Sequence, residues 1–506
     1  MGQSNPFTKG KTVLYILSAF VVIRFLVCTI MGIQPQDAYY YYYAENLALS
    51  YFDHPPMVAY FLKISTSIFG KADYILKLTD LFFSTGTLYL FYLLSKKFLS
   101  LRKAYMITLI FGSSLVLSLI SIVTTPDVPL LFFWTLSMLQ VVKALDRDKL
   151  YDWLLVGLLF GLSFDSKYTG LILGACFILY LLLSNKHRPK LWSYRPILAF
   201  AVFLIVISPV ILWNYQNDFA SIKFQSSGRA SAISTLSLMK PTNLIGFLGS
   251  QAALITFFAF GILMTIYWKF IKRLKTLKFM NKDNQLLLIC FSFPLFLMFF
   301  LLSPIYWVKI NWIMPVYITG LILVGYAIKQ KHVKWSLIIA GVLHIFGLIQ
   351  VIFVPIPIKS DDTWVGWEEL AEQIRPIDEA YPDHFFFADD HYKTSSIMNF
   401  YVEGRYFYGG NIIGHHALQY SIIDSDLEYL DGRNAIMIDS ESRNFVEGKE
   451  RKMIDDIFCY FEHVKELDPI YIRNSDGEII KKFVIRECIN FQSNFVSEDK
   501  RNYIVE

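Results

Sequence analysis

Acidic, basic and aromatic side chains are concentrated in one short stretch, Gln34–Tyr60, between two long apolar segments. The stretch carries Asp37, a run of five tyrosines (Tyr39–Tyr43) and the dipeptide Asp53-His54. Carboxylates at the mouth of a helical bundle are poor packing groups, but they can bind a metal, accept a proton or hold a polar substrate. These residues therefore predict a chemical site at a membrane surface.

Further ionisable residues lie at the ends of later apolar segments: Asp127, Lys167 and Arg229. Asp127 has a structural interpretation of equal weight, as a helix N-cap whose charge complements the helix dipole. The tyrosine run could likewise form an aromatic belt at the membrane interface. For three more residues a solvated loop position explains the residue type at least as well: Glu45, Asp165 and Lys309.

Composition places these residues in a polytopic membrane protein. The chain has 506 residues, of which 55% are hydrophobic and 18% are charged, whereas about a quarter of the residues of a soluble protein are charged. The net charge of +5 requires no nucleic-acid partner. The sequence contains no P-loop and no GxGxxG pattern, so no nucleotide cofactor is expected.

Apolar segments that cross a bilayer need roughly 20 residues, or fewer when neighbouring segments cover them. The sequence contains eleven such segments: Val13–Ile33, Ile75–Ser95, Ala104–Val123, Val128–Ala144, Trp153–Phe164, Tyr168–Ser184, Ile197–Trp213, Leu244–Trp268, Leu286–Ser303, Trp312–Ile328 and Trp335–Pro355. The first is too long for the apolar part of a signal peptide and is expected to stay in place as a span. The shorter segment Met57–Gly70 predicts an interfacial helix.

Basic residues occur in every second connection between these segments. The basic connections are Lys9–Lys11, Lys96–Lys103, Lys143–Lys149, Lys186–Arg195, Lys269–Lys282 and Lys329–Lys334. The positive-inside rule makes these connections cytoplasmic. The other connections, with all the candidate residues above, then face the outside of the cytoplasmic membrane. A C-terminus that follows an odd number of spans faces the same side.

Polar composition begins after Pro355-Ile356-Pro357. This change predicts a membrane domain of residues 1–357, with its first outer loop at residues 34–74, and an extracytoplasmic α/β domain of residues 358–506. Strand patterns in the C-terminal domain are His384–Ala388, Ala435–Ile438 and Lys481–Ile485, and the helix pattern is Trp367–Ile374. Cys459 and Cys488 could form a disulfide if this domain faces an oxidising compartment.

Acids and cations at an outer membrane edge, without a nucleotide motif, suggest a phosphorylated substrate carried on a lipid. Lysine and arginine neutralise phosphate, and arginine does so with a planar fork of donors. A carboxylate would deprotonate the acceptor, because an alcohol is a poor nucleophile until its proton is removed in the transition state.

Several motifs resemble those of the PMT-like glycosyltransferases of the GT-C superfamily, which includes the protein O-mannosyltransferases and the lipid A aminoarabinose transferases. The most specific is the first-loop pattern, Asp37-Ala38-Tyr39-Tyr40 followed by Leu47–Met57. Other similar motifs cover the membrane part in the family's order: Thr125–Leu130, Ser166–Thr169, Trp213-Asn214 with Phe224-Gln225, and Lys309–Trp312 with Pro315. Fewer occur in the C-terminal domain: Gly366-Trp367, and Ala388-Asp389 with Tyr392.

The resemblance implies the all-α GT-C membrane fold, with about 11 to 13 transmembrane helices, joined to the C-terminal α/β domain. It also implies transfer of a sugar from a polyprenyl-phosphate donor, with inversion, to a periplasmic acceptor. The acceptor class stays open among lipid A, another glycan, a membrane lipid and a protein.

The resemblance further assigns roles to matching positions. Asp37 is the implied general base, and Asp53 and Asp127 complete an acidic site. A divalent metal ion is an option there, with Asp37 and Asp53 as its ligands. The implied contacts to the substrate are His54 near the donor phosphate, Lys167 and Arg229 as weaker phosphate candidates, and Tyr39 and Tyr40. Many relatives have Asp-Glu where this chain has Gln36-Asp37, so Asp37 fills either the usual base position or a neighbouring one.

Two other functions fit parts of the pattern. A transporter or flippase of a lipid-linked sugar could share the spans and the outer cations, although transporters more often place charges at mid-bilayer on broken helices in paired halves. A non-catalytic assembly protein could use the C-terminal domain to bind cell-wall partners. The clustering of ionisable residues at one face favours the enzyme.

Overall fold

The chain forms two compact units in the computed structural model, which describes residues 10–228, 240–274, 283–353, 356, 364–390, 392–441, 455–473, 477–494 and 504–505. The first unit comprises Met1–Cys28, Ala48–Gly70 and Ile75–Gly347. The second comprises Thr29–Leu47, Lys71–Tyr74 and Leu348–Glu506. The second unit thus takes in part of the first outer loop together with the C-terminal residues.

Helices make up the first unit. The α-helices, three of which extend into the second unit at one end, are Gly10–Met31, Met57–Phe69, Asp73–Phe98, Leu101–Gly112, Leu115–Ile122, Asp127–Arg147, Leu150–Ser166, Leu171–Leu183, Arg188–Leu191, Tyr194–Gln216, Ala220–Lys223, Pro241–Ile255, Phe257–Leu274, Asp283–Cys290, Phe293–Leu302, Val316–Ala327 and Gln330–Phe353. Two short turns of other helix types are Tyr168–Gly170 and Phe224–Gly228. Every predicted apolar segment has a helix, or a pair of helices, at its position.

Long apolar helices confirm a multi-span membrane protein. Among the described residues, 5 helices are long and apolar enough to cross a membrane, and 2 bent helix pairs raise this number to 7 if each pair is one span. Shorter apolar helices occur at Met57–Phe69, Tyr168–Leu183 and Val316–Ala327. The shorter helices occupy positions where the apolar segments of the sequence are also short.

One predicted segment is wrong as a continuous helix. Leu244–Trp268 is divided into two helices that meet at an angle of 116°. Thr256 separates them with a φ of 73°, which no residue of a right-handed helix adopts. Its hydroxyl donates a hydrogen bond of 2.8 Å to the hydroxyl of Ser336. This contact with another helix stabilises a break that the uninterrupted hydrophobic pattern does not reveal.

A second break, of 52°, divides Ala104–Val123. The buried guanidinium of Arg24 donates to the carbonyl of Gly112 at 2.6 Å and to the hydroxyl of Ser118 at 3.1 Å. The last carbonyl groups of a helix lack partners within the helix. Arg24 therefore satisfies a helix end inside the apolar core, where an unpaired carbonyl would be destabilising.

The second unit contains a mixed sheet with the strand order β2-β1-β3-β5-β4-β6. The strands are β1 Phe385–Ala388, β2 Phe407–Tyr408, β3 Ala435–Glu441, β4 Phe461–Arg473, β5 Ile479–Phe491 and β6 Ile504–Val505. The parallel pairs are β1 with β2, β1 with β3, and β4 with β6, whereas β5 is antiparallel to β3 and β4. The predicted α/β character of the C-terminal domain is confirmed.

In the described part of this unit, four α-helices lie wholly within it: Pro35–Glu45, Trp367–Ala380, Lys393–Tyr401 and Tyr420–Ile423. Phenylalanines from three strands form the core of the sheet, among them Phe385, Phe461 and Phe491. Cys459 and Cys488 are both buried free thiols, and Cys488 belongs to this core. The structure therefore does not contain the disulfide that the sequence allows.

Candidate active site

Three chain segments of the first unit meet at the carboxylate of Asp127. Lys167 donates to its two oxygens at 2.8 and 2.9 Å, and Asn311 donates to Oδ2 at 2.6 Å. Asp127 is only 1% exposed. Burial of a carboxylate is tolerated when a cation and further hydrogen bonds compensate its charge. The predicted residues Asp127 and Lys167 therefore form one ion pair, with Asn311 as a partner that the motif Lys309–Trp312 contained.

The first outer loop contributes Asp53 and His54 to the same unit. The carboxylate oxygen Oδ2 of Asp53 lies 3.8 Å from Nε2 of His54. The main-chain carbonyl of Asp53 accepts a hydrogen bond of 2.6 Å from the side chain of Gln225. Phe52 packs on Phe224, with ring centroids 4.9 Å apart. The motifs at Asp53-His54 and Phe224-Gln225 are thus in contact, as expected of two loops on the same face.

Two polar residues that the sequence reasoning missed lie on the helix Asp73–Phe98. The hydroxyl of Thr124 donates to Asp80 at 2.6 Å, and Lys77 donates to the carbonyl of Ile122 at 2.7 Å. The side chains of Lys77 and Asp80 are both buried. Their spacing of three residues puts Lys77 and Asp80 on one helix face, and two ionisable residues inside an apolar segment are a signal that could have found them.

Asp165 is also more deeply buried than a solvated loop residue. It is 8% exposed, and its Oδ1 accepts no hydrogen bond from the part of the chain that the structure describes. The interpretation of Asp165 as a solvated residue is therefore wrong. Glu45 and Lys309, in contrast, lie at exposed positions.

Asp37 belongs to the second unit, in the helix Pro35–Glu45, which we call the first-loop helix. Pro35 suits the first turn because its ring fixes a helical φ and needs no hydrogen-bond partner. The carboxylate of Asp37 accepts a hydrogen bond of 2.8 Å from the main-chain N–H of Gln34, which is the acidic half of a capping box. Asp37 is 0% exposed. This capping contact is a structural task that the sequence analysis did not assign to Asp37.

Aromatic residues of the C-terminal part enclose the first-loop helix. Ring centroids are 4.4 Å apart for Tyr39 and Tyr392, and 5.3 Å apart for Tyr41 and Phe400. All five tyrosines of the run are buried. Such aromatic pairs stabilise packing beyond the burial of their area. The run therefore packs inside the second unit, and both Tyr39 and Tyr40 are largely covered by protein.

Hydrogen bonds fix the same helix. Tyr42 stacks on Tyr420 with centroids 4.3 Å apart, and its hydroxyl lies 2.7 Å from that of Tyr406. Tyr406 in turn donates to the carboxylate of Asp424 at 2.8 Å. Burial raises the pKa of Asp424 to about 6. A chain of three polar side chains thus runs from the first-loop helix into the C-terminal domain.

The remaining predicted groups fall outside these clusters. Arg229 lies outside the described residues. Among those that are described, no group of three or more His, Cys, Asp or Glu side chains is arranged to hold a metal ion. Asp37 belongs to the second unit and Asp53 to the first. The metal ion, and the roles of these two residues as its ligands, stay predictions.

Comparison with known proteins matches parts of the chain to a family and to a curated relative. Residues 53–213 match the family described as dolichyl-phosphate-mannose-protein mannosyltransferase. The chain is 24% identical over 318 residues to the lipid A galacturonosyltransferase RgtD of Rhizobium johnstonii, an alignment that covers 63% of this chain and 64% of the relative. This chain thus matches somewhat less than two thirds of the length of that relative.

The fold is similar to that of solved structures over almost the whole chain. ArnT from Cupriavidus metallidurans in the apo state has a TM-score of 0.60 at 12% identity, with 94% of this chain and 97% of that chain covered. The same protein bound to undecaprenyl phosphate has a TM-score of 0.57 at 13% identity, with the same coverage. At such identities the likeness establishes the fold.

Proposed function

From its membership of the PMT-like glycosyltransferases of the GT-C superfamily, we propose that this chain transfers a sugar from a polyprenyl-phosphate carrier to a hydroxyl acceptor. The observation that carries the proposal is the set of matched motifs in the first unit. Asp127, Lys167 and Asn311 come from three separate segments and meet in one buried cluster, and Asp53-His54 contacts Gln225. The family match begins at Asp53 and covers the Asp127–Lys167 pair.

In the proposed reaction, an oxygen of the acceptor attacks the anomeric carbon of the sugar from the face opposite the phosphate. The bond from this carbon to the phosphate oxygen breaks, and the carrier leaves as a polyprenyl phosphate anion. The acceptor proton passes to a carboxylate, for which Asp37 is our candidate. Back-side attack inverts the configuration at the anomeric carbon.

Cationic side chains would stabilise the phosphate as its bond to the sugar breaks, because negative charge develops on the leaving oxygen. We assign this role to His54, with Lys167 and Arg229 as further candidates. Lys167 is already bound to Asp127 at 2.8 Å, so it would contribute as a fixed member of an ion pair. Asp53 lies 3.8 Å from Nε2 of His54 and would help to hold that side chain in place.

We further propose that the acceptor is lipid A or a related glycolipid, and that the site faces the periplasm. The relative RgtD is named for lipid A, and the alternation of basic connections favours an outward-facing first outer loop. The C-terminal domain would then also be periplasmic.

The test uses purified full-length protein in detergent. It is supplied with a set of undecaprenyl-phosphate sugars, among them the galacturonic acid and aminoarabinose derivatives, and with lipid A. Mass spectrometry should show lipid A that has gained one sugar, and free undecaprenyl phosphate in equal amount. A second assay uses the protein reconstituted in proteoliposomes. Movement of the intact donor across their bilayer, without sugar transfer, would instead support the flippase.

A further inference from the structure

Three polar side chains form a stripe along the helix Asp73–Phe98. Lys77, Asp80 and Ser84 follow one another at spacings of three and four residues, which places them on one face of the helix. All three are buried. Polar side chains inside a membrane protein are destabilising unless they are paired, and they often have a functional task. The contacts of this stripe show which part of the chain it serves.

The stripe contacts the end of another helix of the first unit, Leu115–Ile122. Lys77 donates to the carbonyl of Ile122 at 2.7 Å, and the hydroxyl of Ser84 lies 2.7 Å from that of Ser121. The last carbonyl groups of a helix lack partners within the helix, and a buried one without a donor is destabilising. Lys77 and Ser84 therefore stabilise the last turn of this helix.

Asp80 contacts the connection that follows. The chain leaves the helix at Val123 in an extended conformation. The hydroxyl of Thr124 then donates to the carboxylate of Asp80 at 2.6 Å, across 44 positions of sequence. Hydrogen bonds to a charged acceptor are shorter and stronger than those between neutral groups. The stripe thus fixes the chain at Ile122 and again at Thr124.

The chain from Thr124 to Asp127 is short. Residues 123–126 are the whole connection between Ile122 and the helix Asp127–Arg147. Within it, the main-chain carbonyl of Thr125 accepts a hydrogen bond of 3.0 Å from the N–H of Val128. Because Thr124 lies only three residues before Asp127, a displacement of Thr124 also moves the carboxylate of Asp127.

The position of Asp127 matters because its carboxylate has partners on two distant segments. Lys167 donates to it at 2.8 Å and Asn311 at 2.6 Å. Hydrogen bonds weaken when the donor and acceptor move apart or out of line. The contacts that hold residues 122–124 therefore also keep Asp127 within reach of both partners.

We propose that Lys77 and Asp80 are positioning residues for Asp127. Their task is to hold residues 122–124, and through them the carboxylate that fixes Lys167. This inference rests on the proposed function, in which Lys167 is a candidate for the donor phosphate. A misplacement of about 1 Å in an active site can lower a rate by about 10²-fold. Loss of a contact of the stripe should therefore weaken donor binding although the stripe itself is remote from the phosphate.

The experiment uses full-length protein in detergent and begins with Thr124. Thr124→Val deletes the hydroxyl that Asp80 binds but keeps the shape, and Thr124→Ser keeps the hydroxyl. Thr135→Val is the matched control. Thr135 is equally buried and lies on the same helix as Asp127, but its hydroxyl donates within the helix, to the carbonyl of Leu131 at 2.7 Å.

Two quantities are measured without any acceptor: the Kd for undecaprenyl phosphate, and hydrogen–deuterium exchange in peptides that cover residues 123–128. In Thr124→Val we expect the Kd to rise about tenfold and the exchange to become faster. Thr124→Ser and Thr135→Val should stay within about twofold of the wild-type Kd. Lys77→Met removes the other contact of the stripe and provides the same test if Thr124→Val does not fold.

A double variant tests whether the effect passes through Asp127. Residues that act through one another have non-additive effects. Thr124→Val should therefore raise the Kd little further when Asp127→Asn is already present, whereas a full additional rise would overturn the proposal. The same comparison applies to Lys77→Met.

Three other outcomes would also overturn the positioning role. One is an unchanged Kd and unchanged exchange in Thr124→Val and Lys77→Met. The others are a Kd that rises as much in Thr135→Val, or as much in Thr124→Ser, as in Thr124→Val. If the wild type transfers no sugar, the proposed function fails, and the exchange of residues 123–128 still decides whether the stripe holds them. If transfer is normal and the donor KM is insensitive to the stripe, only the positioning role fails.

Discussion

The hydroxyl of Tyr42 lies 2.7 Å from the hydroxyl of Tyr406, and this contact joins the first-loop helix to the C-terminal domain. Tyr406 passes the connection on to Asp424 at 2.8 Å. Residues of the C-terminal part therefore hold the helix that carries the candidate base. It is packed within the same unit as the C-terminal sheet, which gives this domain a direct structural connection to the proposed chemistry.

Removal of this contact should weaken the second unit. Tyr406→Phe leaves the ring in place but deletes the hydroxyl, so Tyr42 and Asp424 both lose a partner. We expect the free energy of unfolding to fall by about 1–3 kcal/mol, as for buried polar groups left unsatisfied. Tyr429→Phe is the matched control, because its hydroxyl pairs with that of Tyr408 at 2.8 Å but its side chain is largely exposed. Denaturant titration in mild detergent measures both, and equal effects would argue against the special role of Tyr406.

Asp424 should make the second unit sensitive to pH. Burial raises its pKa from 3.8 to about 6, so the folded state binds the proton more tightly than the unfolded state does. The stability that this provides is present below pH 4 and is lost as the pH rises through 6. Asp424→Asn removes the titration. Between pH 4 and pH 7, the Tm of the wild type should therefore fall more steeply with rising pH than the Tm of Asp424→Asn. Parallel curves of Tm against pH for the two proteins would contradict the assignment.

The role of Asp37 as base has a direct test. Asp37→Asn keeps the shape and a hydrogen-bond acceptor for the N–H of Gln34, but it removes basicity. Turnover should fall by roughly 10²–10⁴-fold, with donor binding near normal. Asp53→Asn should in addition weaken donor binding if Asp53 holds His54 or a metal ion. Near-normal turnover of correctly folded Asp37→Asn would show that another group accepts the proton.

The ion pair of Asp127 and Lys167 should matter for folding as well as for the donor. Lys167→Gln leaves a buried carboxylate without its cation, and such changes typically cost about 3–5 kcal/mol of stability. The double variant with Asp127→Asn should be less destabilised than the sum of the single changes. Lys190→Gln is the control, because Lys190 pairs with the more exposed Asp148 at 3.0 Å and such pairs contribute at most about 1 kcal/mol. Additive effects at Asp127 and Lys167 would contradict the pairing.

Topology is testable without any substrate. Alkaline phosphatase fused after Glu506 should be active, because this reporter becomes active only outside the cytoplasmic membrane. A fluorescent protein fused at the same position should stay dark. Fusions truncated in the basic connection at Lys149 should give the opposite pattern. A fluorescent C-terminal fusion with inactive phosphatase would overturn the outward orientation of the site.

Local sequence patterns predicted those features that depend on neighbouring residues alone. Uninterrupted apolar runs predicted the helices, because each must cover a length of bilayer with apolar side chains. The breaks at Ser113-Ser114 and at Thr256 were not predictable, since a partner on a distant helix stabilises each of them. Residue types likewise identified Asp127 and Lys167 as candidates, but the bond between them, across 40 positions of sequence, is a property of the folded bundle.

The sequence by itself indicated that Tyr39–Tyr43 is an aromatic run beside an acid, either a belt at the membrane interface or part of a site, and that an α/β domain follows the spans. Five aromatic residues in succession have no periodicity, so no pattern could say which surface covers them. Only the tertiary structure decided this. Tyr42 contacts Tyr406, which lies 364 positions away in the chain, and Tyr39 contacts Gln419, which lies 380 positions away. Contacts over such distances depend on the packing of whole elements, and no local preference of the chain encodes them.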